Sequence, residues 1–315
     1  MQPAQPDPIT THLVSIEPHL SAKPIARSGG ARYQQSMNKR TPAYKPRRHP
    51  ADGTRDRHPI HRRPSPSPDP DRTVPDPVIY GNHAVEAALR NSRRSINQAM
   101  LTENAQRRFG SLLTARAVPV ETVTARDLDR RLGPDTVHQG ALLEVEPLPD
   151  LPLSELVAQA LARPILVLDQ VTDPHNVGAI LRSAAVFGAA GLVMTRRHSP
   201  PTFGALAKSA SGALELVPIA YVQNLARALA ELQQSGCRIV GLDGEAADLL
   251  EDTPLQGPTA LVLGAEGKGL RQSTKDGCDE LASIATDGPL RSLNVSNAAA
   301  VALHLAAMQR RHAKR

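Results

Sequence analysis

Apolar and polar positions along the chain divide it into three regions. Residues 1–76 carry almost no apolar periodicity and read as Pro, Ser and Arg runs such as Pro64-Ser65-Pro66-Ser67-Pro68. Such a stretch buries too little surface to offset the entropy of ordering it, which predicts a disordered tail. From Val78 the pattern changes. Helical spacing is predicted over 84–90, 107–116 and 126–132, and strands over 96–101, 118–123 and 141–145. This is a small α/β module over 77–148. A Pro- and Leu-rich stretch, 149–163, follows as an expected linker.

The third region, 164–315, opens on Ile165-Leu166-Val167-Leu168-Asp169, an apolar run suited to a strand buried on both faces. Similar runs recur at 191–194, 216–222, 238–242, 260–263 and 281–284, and helical patterns at 224–233 and 297–309. Alternation of this kind predicts an α/β fold with a mostly parallel sheet and helices on both faces. Residues 298–307 are apolar on nearly every side except at His304, so the last helix calls for burial in a core or a dimer interface.

Charge sharpens the division. The chain of 315 residues holds 37 Lys/Arg and 31 Asp/Glu, net +6. Residues 1–77 account for 13 and 7 of these and for 15 of the 28 prolines, so the remainder balances at 24 and 24. All the excess positive charge belongs to the tail, and the folded part is balanced. Seven Phe/Tyr and no Trp argue against a single-strand reader built on stacked aromatics. Two cysteines, Cys237 and Cys278, exclude a disulfide framework, and no His or Cys spacing suits a metal. No stretch approaches the ~20 apolar residues of a membrane span. The N-terminus lacks a secretory h-region, and its prolines oppose an amphipathic transit helix, so a bacterial, cytoplasmic protein is expected.

Three segments could carry chemistry. In Asp173-Pro174-His175-Asn176-Val177-Gly178-Ala179-Ile180-Leu181-Arg182, Asp173 suits a helix cap and Pro174 the first turn. Val177, Ile180, Leu181 and Ala184 form a core stripe, and Arg182 points away from it. Taken alone, Arg182 is equally a solvated helix residue. The second segment, Gly264-Ala265-Glu266-Gly267-Lys268-Gly269-Leu270, follows a strand and precedes an expected helix; it fits neither a Walker A loop nor a dinucleotide fingerprint. Its glycines admit close approach of a ligand or of another chain segment, and a plain tight turn would look the same. The third segment contains Ser292, Leu293, Asn294 and Ser296 at a helix start, where ordinary capping and an anion site share one signature.

In this order the three segments, spanning about 166–308, resemble the SpoU family of RNA ribose 2′-O-methyltransferases, of the SPOUT class. Tyr80-Gly81-Asn82-His83-Ala84-Val85 and His138-Gln139-Gly140 are similar to the family's ribosomal-protein-like (L30-like) substrate-binding domain, the combination typical of members that methylate a guanosine in 23S rRNA. The resemblance implies a trefoil-knotted domain, S-adenosyl-L-methionine as methyl donor, a homodimer and an RNA partner, with no membrane; toward such a partner the basic tail, 1–76, is expected to add affinity without selecting the target. Carried over motif by motif, it implies Asn176, Arg182, Glu266, Ser292 and Asn294 as catalytic residues, and backbone groups of Gly264, Ile284 and Leu293 around the cofactor. Ala285-Thr286 stands where the family usually has Pro-Met, and Asn297 where a small apolar residue is common. Arg stays protonated at ordinary pH. Arg182 is therefore expected to act as a cation near the target phosphate and the developing alkoxide, oriented by Glu266 and Asn176, while Ser292 and Asn294 fix the ribose. Two alternatives share these motifs. One is a tRNA methyltransferase of the same chemistry, against which the substrate module argues. The other is a non-catalytic RNA-binding or ribosome-assembly protein on the same fold, against which intact Arg182, Glu266 and Asn294 argue.

Overall fold

The computed structural model describes residues 77–289 and 292–313. The expected tail, 1–76, lies outside the described residues.

The first module runs β1 (Val78–Tyr80), α1 (Asn82–Arg90), β2 (Ile96–Leu101), α2 (Glu103–Arg116), β3 (Val120–Thr122), α3 (Ala125–Leu132) and β4 (Ala141–Val145). Its sheet has the order β1-β4-β2-β3, antiparallel except for the β2–β3 pair. The strand predicted over 118–123 shrinks to three exposed residues, because β3 lies at the sheet's edge and buries neither face.

The stretch expected as a linker holds α4 (Leu153–Ala160). Leu153, Leu156 and Ala160 are buried in a cluster with strand residues of the second module. The pattern was masked by Pro147, Pro149 and Pro152, which precede the helix instead of interrupting it.

The second module comprises β5 (Ile165–Asp169), α5 (Pro174–Phe187), β6 (Gly191–Thr195), α6 (Ala205–Ala210), β7 (Ile219–Val222), α7 (Leu225–Gln234) and β8 (Arg238–Leu242). It continues through β9 (Asp248–Leu249), β10 (Thr259–Gly264), α8 (Gln272–Lys275), β11 (Glu280–Ser283) and α9 (Val295–His312). Its seven strands lie in the order β7-β6-β5-β10-β8-β11-β9, and every pair is parallel. The chain leaves β5 toward β6 and β7, then crosses back to β8, with β10 inserted between. That reversal makes the carboxyl ends of β5 and β10 a topological switch point, the place where open α/β sheets put their ligands.

Both faces of the sheet are covered, which is why the strands read as unbroken apolar runs. Leu166, Leu168, Leu261 and Leu263 face the helices α5 and α9, whereas Ile165, Val167, Ala260 and Val262 face α4 and α7. On α5, Val177, Ile180, Leu181 and Ala184 are fully buried and Arg182 is exposed on the opposite side. Gly178 lets α6 lie directly on α5, since a Cβ there would stand 2.6 Å from the Ser209 Cβ. On α9, Ala299, Ala302, Leu303 and Ala306 are buried, but the face bearing His304 and Met308 is open within one chain. Burial is thus one-sided and not all round. The apolar run 216–222 also starts late as strand, at Ile219, because a short 3-10 turn over Ala213–Glu215 leaves Leu216 74% exposed.

The two modules share a continuous core in which α1 and β1 meet α6 and the 3-10 turn. Among the described residues a buried ion pair crosses the junction. Arg94 Nη2 stands 2.6 Å from Glu215 Oε1, with the two side chains 3% and 2% exposed. Asn91 Nδ2 donates to Glu215 at 2.6 Å, and Arg94 Nη1 donates to the Glu146 carbonyl at 2.8 Å. Removing one partner strands a buried charge. Glu215→Ala is therefore expected to destabilise the chain by about 3–5 kcal/mol, measured by denaturant unfolding; a loss below ~1 kcal/mol would mean that Arg94 escapes to solvent at no cost.

Candidate active site

Each of the three motifs begins where a parallel strand ends. Register pairs Gly264 of β10 with Asp169 of β5, so the first two motifs leave the sheet side by side. In the first, Asp173 caps α5 by accepting the N–H of His175 at 3.0 Å, and Pro174 takes the first turn. The cap aims the N-terminal turn, carrying Asn176, across the ends of the strands.

The second motif is a tight reversal in place of a direct strand-to-helix turn. Ala265 and Gly269 pair across it, and Gly267 and Gly269 adopt φ of +74° and +65°. Gly264 has a different reason. A Cβ there would lie 2.2 Å from the Gly269 carbonyl carbon, so the close approach foreseen at this glycine is made by the chain itself. The following helix is a single turn, α8. Beneath it sits Asp169, fully buried, which accepts from Arg271 N at 3.1 Å, Arg271 Nε at 2.7 Å and Thr274 Oγ1 at 2.7 Å. Asp169 ties the end of β5 to the chain beyond the glycine turn. Sequence reasoning missed it as a site-building residue; an acid ending a wholly apolar strand run was the available signal.

The third motif brings the three together through one side chain. Asn294 Oδ1 accepts from Ser296 N at 2.9 Å and Ser296 Oγ at 2.6 Å, capping α9. Its Nδ2 donates to Asn176 Oδ1 at 3.1 Å and to a Glu266 carboxylate oxygen. Asn176 thereby meets Glu266 and Asn294 from 90 and 118 positions away, with Asn176 buried and the other two open to solvent. Capping and site-building are both true of Asn294, carried by opposite ends of one amide.

The remaining candidates are less tied. Arg182 is exposed and makes no hydrogen bond or ion pair among the described residues. The expected orientation of Arg182 by Glu266 and Asn176 is therefore not formed; both hold Asn294 instead. Ser292 and Leu293 are exposed, Leu293 by 44%, and Ile284 is half-buried. The Leu293 side chain thus stands open next to Asn294, which suits the nonpolar part of a nucleoside-like ligand, whereas Ile284 packs in part against the core. Thr286 is exposed, and Asn297 faces solvent on α9.

Other chemistries have little support in these residues. Burial, reinforced by Asp279 and Asp169, pushes the Cys278 thiol up to about 11, and burial raises Cys237 as well, so neither thiol is a ready nucleophile near neutral pH. Among the described residues no three His, Cys, Asp or Glu side chains gather as metal ligands.

Comparison with known proteins fits this geometry. Residues 163–304 match the model of the SpoU rRNA Methylase family, and 78–151 match that of the RNA 2′-O ribose methyltransferase substrate-binding domain. The 23S rRNA (guanosine-2′-O-)-methyltransferase RlmB of Pseudomonas putida is 41% identical over 240 residues, 74% of this chain and 96% of that protein. The SpoU methyltransferase AviRb from Streptomyces viridochromogenes, solved in complex with AdoMet, is similar in fold at a TM-score of 0.62 and 24% identity, over 74% of this chain and 89% of that one. An AdoMet-bound rRNA methyltransferase from Sinorhizobium meliloti gives 0.63 at 22% identity, over 75% and 87%. Two matched domains in the order the residues foretold, and two-fifths identity across nearly a whole relative, show that this chain belongs to the SpoU rRNA methylase family.

Proposed function

We propose that the chain transfers a methyl group from S-adenosyl-L-methionine to the 2′-hydroxyl of a ribose, a guanosine, in 23S rRNA. The observation that carries this reading is the meeting of Asn176 and Glu266 at the Asn294 amide in a chain so similar to a 23S rRNA guanosine methyltransferase. The test is a map of ribose methylation in rRNA and tRNA from cells with and without the protein. One missing 23S guanosine methylation supports the reading, and a change confined to tRNA overturns it.

Backbone groups of Gly264, Ile284 and Leu293 would hold the cofactor, which when bound would supply an electrophilic methyl on a sulfonium. The rest falls to this chain's side chains. They must align the ribose in line with that methyl and stabilise charge on the 2′-oxygen as its proton leaves. Arg182, a permanent cation on the open face of α5, is the residue for the adjacent phosphate and the developing alkoxide. Glu266 and Asn176 act through Asn294, which with Ser292 holds the ribose. The proposed knot is supported by the chain's path, which leaves β10 in mid-sheet for β11 near the far edge and returns as α9 against β10 and α5.

A homodimer completes the proposal. Val186 on α5 and Met308 on α9 are 70% and 38% exposed on neighbouring helices, an apolar face that a second copy would cover. Among the described residues no helix is long and apolar enough to cross a membrane. An rRNA substrate favours a cytoplasmic enzyme.

Arg182→Ala is expected to lower turnover by about 10²–10³ with unchanged unfolding and cofactor binding, because the side chain leaves no cavity; near-normal turnover would remove it from the chemistry. Asn294→Asp keeps the α9 cap but sets an acceptor against Glu266. Turnover should collapse in that variant, while its thermal midpoint moves little. Val186→Glu should give a folded monomer in sedimentation at micromolar concentration, and a dimer of undiminished stability would place the interface elsewhere.

A further inference from the structure

Two motifs of the first module take no part in the chemistry above, and both lead to one lysine. His138 is 8% exposed; its Nε2 stands 3.0 Å from Asp129 Oδ1 and its Nδ1 accepts the Gly140 N–H at 3.0 Å. The ring pins a turn in which Gln139 and Gly140 are both left-handed, at φ +57° and +77°. Gln139 is thereby thrust toward α1, where its Oε1 accepts the Asn82 N–H at 2.9 Å and Lys208 Nζ at 2.7 Å. Lys208 belongs to α6 of the second module. Its side chain lies so close over Gly81 that a Cβ there would stand 2.4 Å from Nζ. The neighbouring residue, Ser209, donates to the His175 carbonyl at 3.0 Å, one residue before Asn176. Lys208 is therefore fixed across the seam of the modules, close to the first motif.

This cation is not neutralised. Among the described residues no carboxylate lies within ion-pair distance of it, and its partner is the oxygen of a neutral amide. Half-burial disfavours the charged form and lowers its proton affinity below that of an ordinary lysine. With the Gln139 oxygen taken by two donors, no hydrogen bond from its amino group is made among the described residues. Two donor groups with unspent N–H bonds, one of them charged, thus stand side by side.

We propose that Lys208, with Gln139, binds a backbone phosphate of the substrate RNA at the seam between the modules, beside the first motif. A compact ammonium is a point charge suited to a phosphodiester, and the amide adds a second donor to the same group. Residues 78–315 carry balanced charge, so RNA affinity in the folded part depends on where single cations stand. The phosphate held here would fix the strand between the first module and Asn176. The proposal rests on the RNA-methylating reading.

The test uses the full chain with protein-free 23S rRNA and S-adenosyl-L-methionine as probes. Lys208→Met preserves the packing over Gly81 and removes the charge. It is expected to weaken RNA binding about tenfold, as loss of a charged hydrogen bond does, and to reduce the slope of log Kd against log salt by about 0.7–0.9, one phosphate. KM for the RNA should rise while cofactor affinity and Tm stay put, and Lys208→Arg should restore binding and slope. Unchanged RNA affinity and slope in the Met variant would overturn the proposal. So would a lower Tm with both substrates weakened and the slope intact, the signature of a strut holding the modules together. A wild-type chain that binds the RNA but transfers no methyl to it would refute the methyltransferase reading instead.

Discussion

The insertion of β10 between β5 and β8 is the constraint on which the rest of the structure depends. Parallel pairing of Gly264 with Asp169 brings two segments about a hundred residues apart to one point at the carboxyl end of the central strands. A fully buried carboxylate is tolerated only when its oxygens are satisfied. Asp169 meets that demand with the backbone and guanidinium of Arg271 and the hydroxyl of Thr274. The chain beyond the glycine turn is therefore held down on β5, and Glu266 is left at the mouth between the strands.

From that pairing the site assembles with few parts. The Asp173 cap sets the angle of α5, and Gly178 lets α6 lie on it without a gap. Small residues on the inner face of α9 let that helix sit close to α5 and β10, so its N-terminal cap falls beside Asn176. One amide then serves two elements, closing the helix with its oxygen and joining the other motifs with its nitrogen. Either duty alone would admit several residue types. The two together need a neutral side chain carrying both an acceptor and donors, which Asn supplies.

The junction of the modules follows the same economy. A buried Arg94–Glu215 pair and a shared apolar core fix the first module on the 3-10 turn and α6. The α6 helix then lies between the His138-Gln139-Gly140 turn and the first turn of α5, touching both. The two modules are thereby connected through a helix of six residues.

The sequence by itself determined the elements with strong local signals. β5, β8 and β10 were legible because a strand buried on both faces is apolar at consecutive positions, and α5 because its cap, its Pro and its stripe agree. Arg182 was legible as exposed for the same reason, and the three motifs in order carried the family. What the tertiary structure alone decided were relations between distant positions. Helix α4 hid behind prolines, α6 was too short to show a period, and Gly264 owes its identity to Gly269 rather than to a ligand. Asp169, Glu215 and Lys208 looked like ordinary charges, because a charged residue's meaning is set by its partners. Those partners lie 69 to 124 residues away in sequence, and only the pairing of strands and the stacking of helices brings them within hydrogen-bonding distance.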